Sequence, residues 1–382
     1  MELTDTPDEQ AFRAEARAWL EANVPKEPLP GGDTREGFAA HLEWERLLHR
    51  DKWAVVSWPE AYGGRDASIW EWIIFEEEYY RARAPQRVTQ NGIFLLAPTI
   101  FEFGTQEQQD VLLPRMSAAE DLWGQGWSEP GSGSDLASLR SRAVRDDERG
   151  GWVLNGQKTW TTRGAFCTHV FGLFRTNPEL GRHRGLSYFL VPLDTPGVTV
   201  RGFERLDGDE GFAEVFFEDA FISDDIAPYG LLGEVDKGWS IAMATTGSER
   251  GLTLRSPGRF RAAAENLINL AKDNPALTDV IRDRVIGSWM DAEAYHMFTL
   301  HQVTDLIEGR EPGARSSLNK VFWSDLDVRL HEAALELLGP DAYTDNPWSR
   351  GFQFSLSGPI YAGTNEIQRN IIAERVLGLP RA

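Results

Sequence analysis

Apolar residues follow a helical period at the two ends of the chain and a strand-like pattern in the middle. At the start, Thr6 and Pro7 precede an amphipathic run that we expect to end near Pro25. Residues 69–83 show the same three- and four-residue spacing of apolar positions. The pattern therefore predicts a helical domain over residues 1–118.

A capping box marks the beginning of a further helix in this domain. The Thr105 hydroxyl is placed to accept a hydrogen bond from the backbone N–H of Gln108, and the Gln108 side chain is placed to reach back. Because proline has no backbone N–H, we expect this helix to end near Pro114.

Short runs of β-branched and aromatic residues fill the region 119–229. Clusters of Gly, Pro, Asn and Asp separate these runs, and residues 177–184 are predicted to form a loop or hairpin tip. The pair Asn155-Gly156 predicts a hairpin turn followed by a strand. The pattern indicates a small antiparallel sheet or barrel, with further strands over residues 170–174, 186–191, 198–203 and 213–217.

Helical periodicity returns from residue 230 onward. Apolar residues recur at three- and four-residue steps over 281–307 and 318–337, and Thr364 is a good N-cap for a last helix. Long antiparallel helices bury such stripes against one another, so we expect a four-helix bundle over residues 230–382. The chain is thus predicted to be an α+β protein of three consecutive domains.

Charge and cysteine content narrow the possible classes of function. A formal charge of −20 in 382 residues argues against nucleic-acid binding, which needs clustered Lys and Arg. The single cysteine, Cys167, permits no intrachain disulfide, and the acidic N-terminus lacks a signal peptide, so we expect a cytoplasmic protein. The sequence contains no run of ~20 apolar residues that would span a membrane and no spaced set of metal ligands.

Two polar segments in the middle region offer candidate chemistry. Residues 127–135 read W-S-E-P-G-S-G-S-D, and this density of Gly and Ser lets backbone N–H groups approach an electron-rich ligand. Residues 155–162 read N-G-Q-K-T-W-T-T, so an indole and two hydroxyls could lie against a flat heterocycle. Taken singly, the first segment is also typical of a surface turn, and the second of a structural hairpin with Trp160 in the core.

Together the two segments resemble the loop (T/S)-E-P-G-x-G-S-D and the strand N-G-x-K-x-W-(I/T)-T of the acyl-CoA dehydrogenase family. Residues 58–64, 103–108 and 360–377 resemble its W-P-x-x-Y-G-G, F-G-T-x-E-Q and I-Y-x-G-T-x-x-I-Q segments. The five motifs occur in the family's order and span nearly the whole chain. The chain is therefore identified as a member of this flavoprotein family, of actinobacterial character, with a helical, a β-barrel and a helical-bundle domain.

The resemblance implies an FAD site and a site for an acyl-CoA substrate. Carried over by position, the residues that line the flavin or its phosphate linker are Gln125, Trp127, Ser128 and Ser134, those at the isoalloxazine ring are Trp160, Thr161 and Thr162, and those near the adenine half are Thr364 and Glu366. The implied substrate contacts are Ser134, Arg250 and Gly363.

The catalytic base implied by the resemblance is Glu249. In many relatives, the Glu that takes the α-proton stands in the terminal I-Y-E-G-T motif, but that position is Ala362 here, which cannot accept a proton. A branch of the family, including isovaleryl- and long-chain-type enzymes, carries the Glu on an earlier helix just before an Arg. The pair Glu249-Arg250 matches that place, and Arg250 would hold the thioester or the base.

The implied reaction is the α,β-dehydrogenation of an acyl-CoA to the trans-2-enoyl-CoA, a step of the fatty-acid β-oxidation type, with electrons passed to an electron-transferring flavoprotein. Two alternatives stay open. One is a flavin monooxygenase or a relative of nitroalkane oxidase, against which Glu249 argues. The other is a degenerate structural subunit, against which the intact flavin loop and Glu249 argue.

Family members complete each FAD site with R-x-x-F-G and Q-I-x-G-G-N-G segments from a neighbouring subunit. Residues 271–283 lack the first motif, and the second reads E-L-L-G-P-D-A over residues 336–342. Glu336 and Asp341 add negative charge near the dianionic linker of FAD, and Pro340 removes an N–H donor. Two explanations stay open: a two-plus-two heterotetramer with an unlike subunit, and a homomer that holds FAD by other contacts.

Overall fold

The computed structural model describes residues 4–250, 256–310 and 313–381, and of residues 248–250 it describes the backbone alone. The chain divides into two compact units. The sheet unit comprises residues 27–66 and 85–249, and the helical unit comprises residues 1–26, 67–84 and 250–382. Helices occupy both ends of the chain and a sheet its middle, so the predicted α+β class is confirmed.

An eight-stranded sheet is the centre of the sheet unit. Its strands are β1 (Trp123–Gly126), β2 (Arg142–Asp146), β3 (Gly151–Thr162), β4 (His169–Arg175), β5 (Leu186–Pro192), β6 (Val198–Phe203), β7 (Phe212–Ser223) and β8 (Gly230–Leu232). They lie in the order β6-β7-β3-β2-β4-β5-β8, with β1 beside β4. The four runs predicted as strands are therefore confirmed as parts of β4, β5, β6 and β7.

The sheet is mixed, not purely antiparallel as predicted. β1 runs parallel to β4, and β2 meets β4 in parallel at a single residue pair, whereas the other pairings are antiparallel. Parallel neighbours need a long connection, and the hairpin of β2 and β3 supplies it between β1 and β4.

The Asn155-Gly156 pair does not form the predicted hairpin turn. Both residues lie inside β3, where the register with β7 shifts between Leu154 and Gly156. The Asn155 Nδ2 donates to Asp219 Oδ1 at 2.9 Å, and the Asp219 backbone N–H donates to Asn155 Oδ1 at 3.0 Å. The prediction was wrong because this long-range pairing with β7 makes the pair a bulge within a 12-residue strand.

Side chains from several strands pack into one buried cluster. Its members are Ala143, Leu154, Val170, Phe174, Phe189, Val191, Val215, Phe217, Ala220 and Ile222. The helices of the sheet unit are α2 (Arg35–Arg50), α4 (Ala97–Phe103), α5 (Gln106–Ser117) and α6 (Gly238–Arg250), of which the residues up to Glu249 belong to this unit.

Helix α5 begins as predicted and ends at Ser117, near Pro114 as predicted. The Gln108 N–H donates to the Thr105 hydroxyl at 3.1 Å, and the Thr105 N–H donates to the Gln108 side chain at 3.0 Å, so the capping box is confirmed. Pro114 lies inside the helix, which continues to Ser117. Proline here removes one hydrogen bond close to the C-terminus, where little helix remains to be disrupted.

The helical unit is built from α1 (Pro7–Asn23), α3 (Ile69–Arg81), α7 (Pro257–Ala271), α8 (Asp279–Ile307), α9 (Ser316–Leu338), α10 (Pro347–Ser355) and α11 (Asn365–Ile371). Apolar side chains of α7, α8 and α9 share one buried cluster, which confirms the helical bundle. Trp289, which the periodicity assigned to the buried stripe of α8, is 41% exposed. His296 is buried on the same helix.

Ion pairs join α1 to α3 within the helical unit. Arg13 reaches Glu77 at 2.8 Å and Glu78 at 3.2 Å, and Arg17 reaches Glu78 at 2.8 Å. Glu78 is buried, so these arginines keep its charge paired. Among the described residues, no helix is long and apolar enough to cross a membrane.

Candidate active site

The loop 127–135 is a tight turn with an open outer side. Glu129 and Ser132 exchange backbone hydrogen bonds of 2.8 and 3.0 Å, which closes the turn. A Cβ added at Gly131 or Gly133 would meet nothing within 4 Å. The backbone N–H groups of Gly131, Gly133 and Ser134 donate to no other described residue. The loop therefore presents unpaired N–H donors to its surroundings.

Strand β3, which bonds to this loop at Lys158 and Thr159, carries an exposed indole. The register between β3 and β7 shifts between Lys158 and Thr161, and Trp160 at this bulge has a φ of +61°. A left-handed conformation is unusual for a bulky residue and is typical of functional sites. The Trp160 ring is 60% exposed and meets Phe203 and Phe212 edge-on, so it is not in the core.

A buried ion pair ties the loop to the strand. Lys158 has no exposed surface, and its Nζ donates to Glu129 Oε1 at 2.9 Å. The Glu129 carboxylate also accepts from the backbone N–H groups of Arg140 at 2.6 Å and Ser141 at 2.9 Å. A further bond of 2.9 Å runs from the Thr159 N–H to the Ser128 carbonyl. These contacts hold the two segments in one fixed arrangement.

Burial and the opposite charge act against each other on the pKa of each partner of this pair. Burial opposes ionisation of Glu129, but Lys158 and the Arg140 N–H outweigh it, so the pKa of Glu129 lies below its usual value. Burial is the largest influence on Lys158 and lowers its pKa, while Glu129 acts in the opposite direction. The carboxylate therefore favours the ammonium form of Lys158 against the effect of burial.

A second buried cluster fixes the end of β3. Arg163, which follows Thr162 with a φ of +54°, donates from Nε to Asp33 Oδ1 at 2.6 Å. Arg205 donates to the other oxygen of Asp33, also at 2.6 Å. Burial opposes ionisation of Asp33, but the two arginines lower its pKa. The strand that carries Trp160 is therefore held by charged groups on both sides of the bulge.

The predicted flavin residues of the sheet unit differ in how accessible they are. Gln125, Ser128 and Thr162 are half-buried, and Ser134 is exposed. The Thr161 side chain is fully buried, and its hydroxyl has no hydrogen-bond partner among the described residues. Thr161 therefore presents no exposed surface to a ligand in this arrangement.

The Trp127 side chain is also buried. Its indole meets Tyr188 edge-on at 5.7 Å and Phe171 at 6.3 Å. The indole Nε1 is buried and has no partner among the described residues. Gln125 thus lies in β1, Thr162 ends β3 and Ser128 is bonded to β3 through Thr159, whereas Trp127 packs against the sheet behind the loop.

Helix α6 carries the predicted base at its end. The side chains of Glu249 and Arg250 lie outside the described residues, so their predicted roles stay predictions. Four residues before Glu249, the buried Thr245 hydroxyl lies 2.8 Å from the Thr99 hydroxyl and donates to the Ile241 carbonyl at 3.1 Å. This contact fixes the backbone of α6 one turn before Glu249.

The predicted site residues near the end of the chain belong to the helical unit: Gly363 and Thr364 lie in the turn before α11, and Glu366 lies in its first turn. Ala362 and Gly363 have φ values of +56° and +80°. The Thr364 hydroxyl accepts from the Ile367 N–H at 3.3 Å, which confirms its role as N-cap. Glu366 is exposed, and hydrogen bonds from its own N–H and from Thr364 lower its pKa.

The segment that departs from the family motif lies after α9. Glu336 forms an ion pair with Arg284 of α8, so its charge is already matched within the chain. Residues Gly339–Tyr343 form a 3₁₀ helix with Pro340 in its first turn. The ring of Tyr343 is 94% exposed. The negative charge that the sequence assigned to Glu336 is therefore less available to repel a phosphate than predicted.

Sequence reasoning did not assign roles to Glu129, Lys158, Asp33 or Arg163. The first two lie inside the quoted motifs, and a lysine between strand residues could have suggested a buried acid as its partner. The pairing of Asp33 with Arg163 joins residues 130 positions apart, and nothing in the sequence signals it.

Three domain descriptions match the sequence in order. They are the acyl-CoA dehydrogenase N-terminal domain over residues 6–120, the middle domain over residues 124–220 and the C-terminal domain over residues 236–377. Together they cover most of the chain.

Individual relatives agree with this assignment. The chain is 40% identical to the acyl-CoA dehydrogenase IpdE1 of Mycobacterium tuberculosis, with 98% of each chain covered. The solved Tcur3481-Tcur3483 steroid ACAD matches with a TM-score of 0.88 at 25% identity, covering all of both chains. The ChsE4-ChsE5 complex from Mycobacterium tuberculosis matches with a TM-score of 0.84 at 29% identity, again over all of both chains. The chain therefore belongs to the acyl-CoA dehydrogenase family and has the family's three-domain architecture.

Proposed function

We propose that this chain catalyses the FAD-dependent α,β-dehydrogenation of an acyl-CoA thioester. The observation that carries the proposal is the fixed pairing of the loop 127–135 with β3. It joins the loop, whose N–H groups at Gly131, Gly133 and Ser134 are unpaired among the described residues, to the strand that carries the exposed Trp160 indole. An aromatic face with neighbouring N–H donors suits a flat, electron-rich ring that gains negative charge on reduction.

The residues of the sheet unit fit FAD in their chemistry. The N–H groups of Gly131, Gly133 and Ser134 suit flavin carbonyl or phosphate oxygens, because they are otherwise unpaired among the described residues. Trp160 and Thr162 would lie against the isoalloxazine ring, and Gln125 and Ser128 beside it. When bound, FAD supplies the acceptor for the hydride that leaves the β-carbon of the acyl chain.

Glu249 is the proposed base. Its carboxylate takes the proton from the α-carbon, and the electron pair of that C–H bond forms the new double bond. Unpaired N–H groups would polarise the thioester carbonyl and so make the α-proton more acidic. Arg250 would position the thioester or the carboxylate, and Gly363 and Ser134 would contact the substrate.

Anaerobic bleaching of the bound flavin by a panel of acyl thioesters tests this function. The panel includes straight, branched and steroid-like acyl-CoAs and one acyl-carrier-protein thioester, because the Tcur3481-Tcur3483 relative is described as a steroid enzyme. We expect at least one CoA thioester to bleach the flavin fully. If no thioester bleaches the flavin even in the presence of an unlike partner subunit, the proposal is contradicted.

We further propose that the chain works with an unlike subunit. Pro340 lacks an N–H donor, and Asp341 adds a negative charge in the segment that family members lend to a neighbour's FAD. The ChsE4-ChsE5 structure, a relative over its whole length, is itself described as a complex of two named chains. The partner would carry R-x-x-F-G and G-G-N-G segments, and an electron-transferring flavoprotein would then accept the electrons.

The flavin content of the chain purified alone, with excess FAD at low salt, tests the partner. We expect little bound flavin per chain, and a rise when a candidate partner is co-expressed. Pro340→Gly should raise the flavin content of the lone chain if the lost N–H is the cause. A homo-oligomer holding close to one FAD per chain would overturn the heteromer and leave the dehydrogenase proposal standing.

A further inference from the structure

The turn before α11 presents three consecutive unpaired donors. The backbone N–H groups of Ala362, Gly363 and Thr364 donate to no described residue, whereas that of Asn365 donates to the Pro359 carbonyl at 2.8 Å. Ala362 is the residue in this turn for which a positive φ is costly, about 1–2 kcal/mol. Surrounding contacts must therefore hold the turn in this conformation.

Gln368 is the contact that holds it. Its side chain has no exposed surface, and its Nε2 donates to the Ala362 carbonyl at 3.0 Å and lies 3.5 Å from the Gly363 carbonyl. The C=O and the following N–H of a planar trans peptide point in opposite directions. With the Ala362 carbonyl turned toward Gln368, the Gly363 N–H points away from it.

A second set of bonds anchors the next residue of the segment. Asn365 accepts from Lys320 Nζ at 2.7 Å and from the Ser324 hydroxyl at 3.1 Å, and donates to Asp325 Oδ1 at 2.9 Å. These three partners lie on α9, so Asn365 fixes the start of α11 on that helix. Gln368, by contrast, bonds to the carbonyl groups of the turn itself and so orients its peptide planes.

We infer that Gln368 is a positioning residue for the dehydrogenation: it fixes the turn so that its unpaired N–H groups face the thioester carbonyl. The inference rests on the proposed function. Donors aimed at a carbonyl oxygen stabilise the charge that develops there only when they are already in place. Gln368 acts through the turn and does not touch the substrate.

Three variants separate positioning from a general loss of stability. Gln368→Met keeps the length of the side chain and removes the donor. Gln368→His keeps an N–H near the position of Nε2. Gln302→Met is the matched control, because Gln302 is also a buried glutamine of the helical unit and bonds to Asn319 rather than to the turn.

The decisive readout is the carbonyl stretching frequency of a bound, non-reactive acyl-CoA analogue, measured by difference infrared spectroscopy on the flavin-loaded complex. Relative to the analogue free in solution, we expect the wild type, Gln368→His and Gln302→Met to lower the carbonyl frequency by the same amount. Gln368→Met should lower it less. The kcat of Gln368→Met should fall about 10- to 100-fold, less than the loss of a complete oxyanion donor, with little change in KM.

A frequency shift in Gln368→Met equal to that of the wild type would overturn the inference. If Gln368→Met does not fold, Ala362→Gly supplies the second comparison, because glycine removes the cost of the positive φ. The single variant should keep the full shift, and Ala362→Gly with Gln368→Met should lose it. A full shift in that double variant would also overturn the inference. If the wild type itself is not bleached by any thioester, the proposed function fails, whatever Gln368 does.

Discussion

Two fully buried lysines anchor the two segments that we assign to ligand binding, and their partners differ. In the sheet unit, Lys158 is paired with the Glu129 carboxylate, which also accepts two backbone N–H groups. In the helical unit, Lys320 donates to the amide oxygen of Asn365. Both lysines lie behind a turn whose outer N–H groups are unpaired among the described residues.

Because the partners differ, the two turns depend on their lysines to different degrees. Removing Lys158 would leave a buried carboxylate without its cation, and an uncompensated buried charge is strongly destabilising. Removing Lys320 would leave a neutral amide that still has Ser324 and Asp325 as partners. We therefore expect the conformation of the loop 127–135 to depend on Lys158 more than the conformation of the turn before α11 depends on Lys320.

Lys158→Met should have the largest effect on stability. We expect a loss of about 3–5 kcal/mol in the free energy of unfolding, because Glu129 stays buried without its partner. Urea denaturation of the flavin-free protein measures this loss. The double variant Lys158→Met with Glu129→Gln should recover part of the loss. No recovery in the double variant would show that packing, not charge, dominates at this position.

Lys320→Met should cost less. The hydrogen bond from its ammonium to Asn365 is of the charged type, for which we expect a loss of about 1.5–3 kcal/mol by the same denaturation measurement. A loss as large as that of Lys158→Met would contradict this expectation. It would mean that the turn before α11 depends on Lys320 as strongly as the loop 127–135 depends on Lys158.

The pH dependence of stability gives a further test of the buried pair formed by Glu129 and Lys158. The pKa of Glu129 is lowered in the folded state, so its contribution is present above the pKa of the unfolded chain and is lost as the pH falls through the folded value. We expect the stability advantage of the wild type over Glu129→Gln to shrink as the pH is lowered from 6 into the acid range, about 4 and below. A pH-independent difference would contradict this reading.

Glu336→Gln should have the smallest effect. Its ion pair with Arg284 is partly exposed on both sides, and pairs of this kind contribute about 0–1 kcal/mol. Because Arg284 already matches the charge, we expect little change in flavin content as well. A large rise in bound FAD would show that Glu336 repels the cofactor despite its partner.

The sequence predicted local structure correctly where interactions between neighbouring residues determine it. The capping box at Thr105, the N-cap at Thr364 and the strand runs follow from neighbouring residues, and each is confirmed. The Asn155-Gly156 turn was wrong because pairing with Asp219, 64 residues away, overrides the local preference. The parallel pairing of β1 with β4 likewise depends on contacts that no short segment specifies.

The same distinction applies to the candidate site. The motifs gave the residues of the loop and of β3, and the family match gives the architecture in which they act. The buried partners behind them, Lys158 with Glu129 and Gln368 with Ala362, became apparent only from burial and distance. A polar residue in a motif can contact the ligand or stabilise the fold around the site. The residue type alone does not distinguish these two roles.

We propose that the flavin-loaded enzyme removes two hydrogen atoms from an acyl-CoA with Glu249 as the base. The most direct measurement is one anaerobic turnover of the wild type and of Glu249→Gln, with flavin absorbance and product mass recorded together. We expect the wild type to form one enoyl-CoA, lighter than the substrate by two hydrogen atoms, for each flavin reduced. Glu249→Gln should bind FAD normally and reduce it at least about 100-fold more slowly. A variant that keeps more than about a tenth of the wild-type rate, or a product that retains all its hydrogens or gains oxygen when air is admitted, would contradict the account.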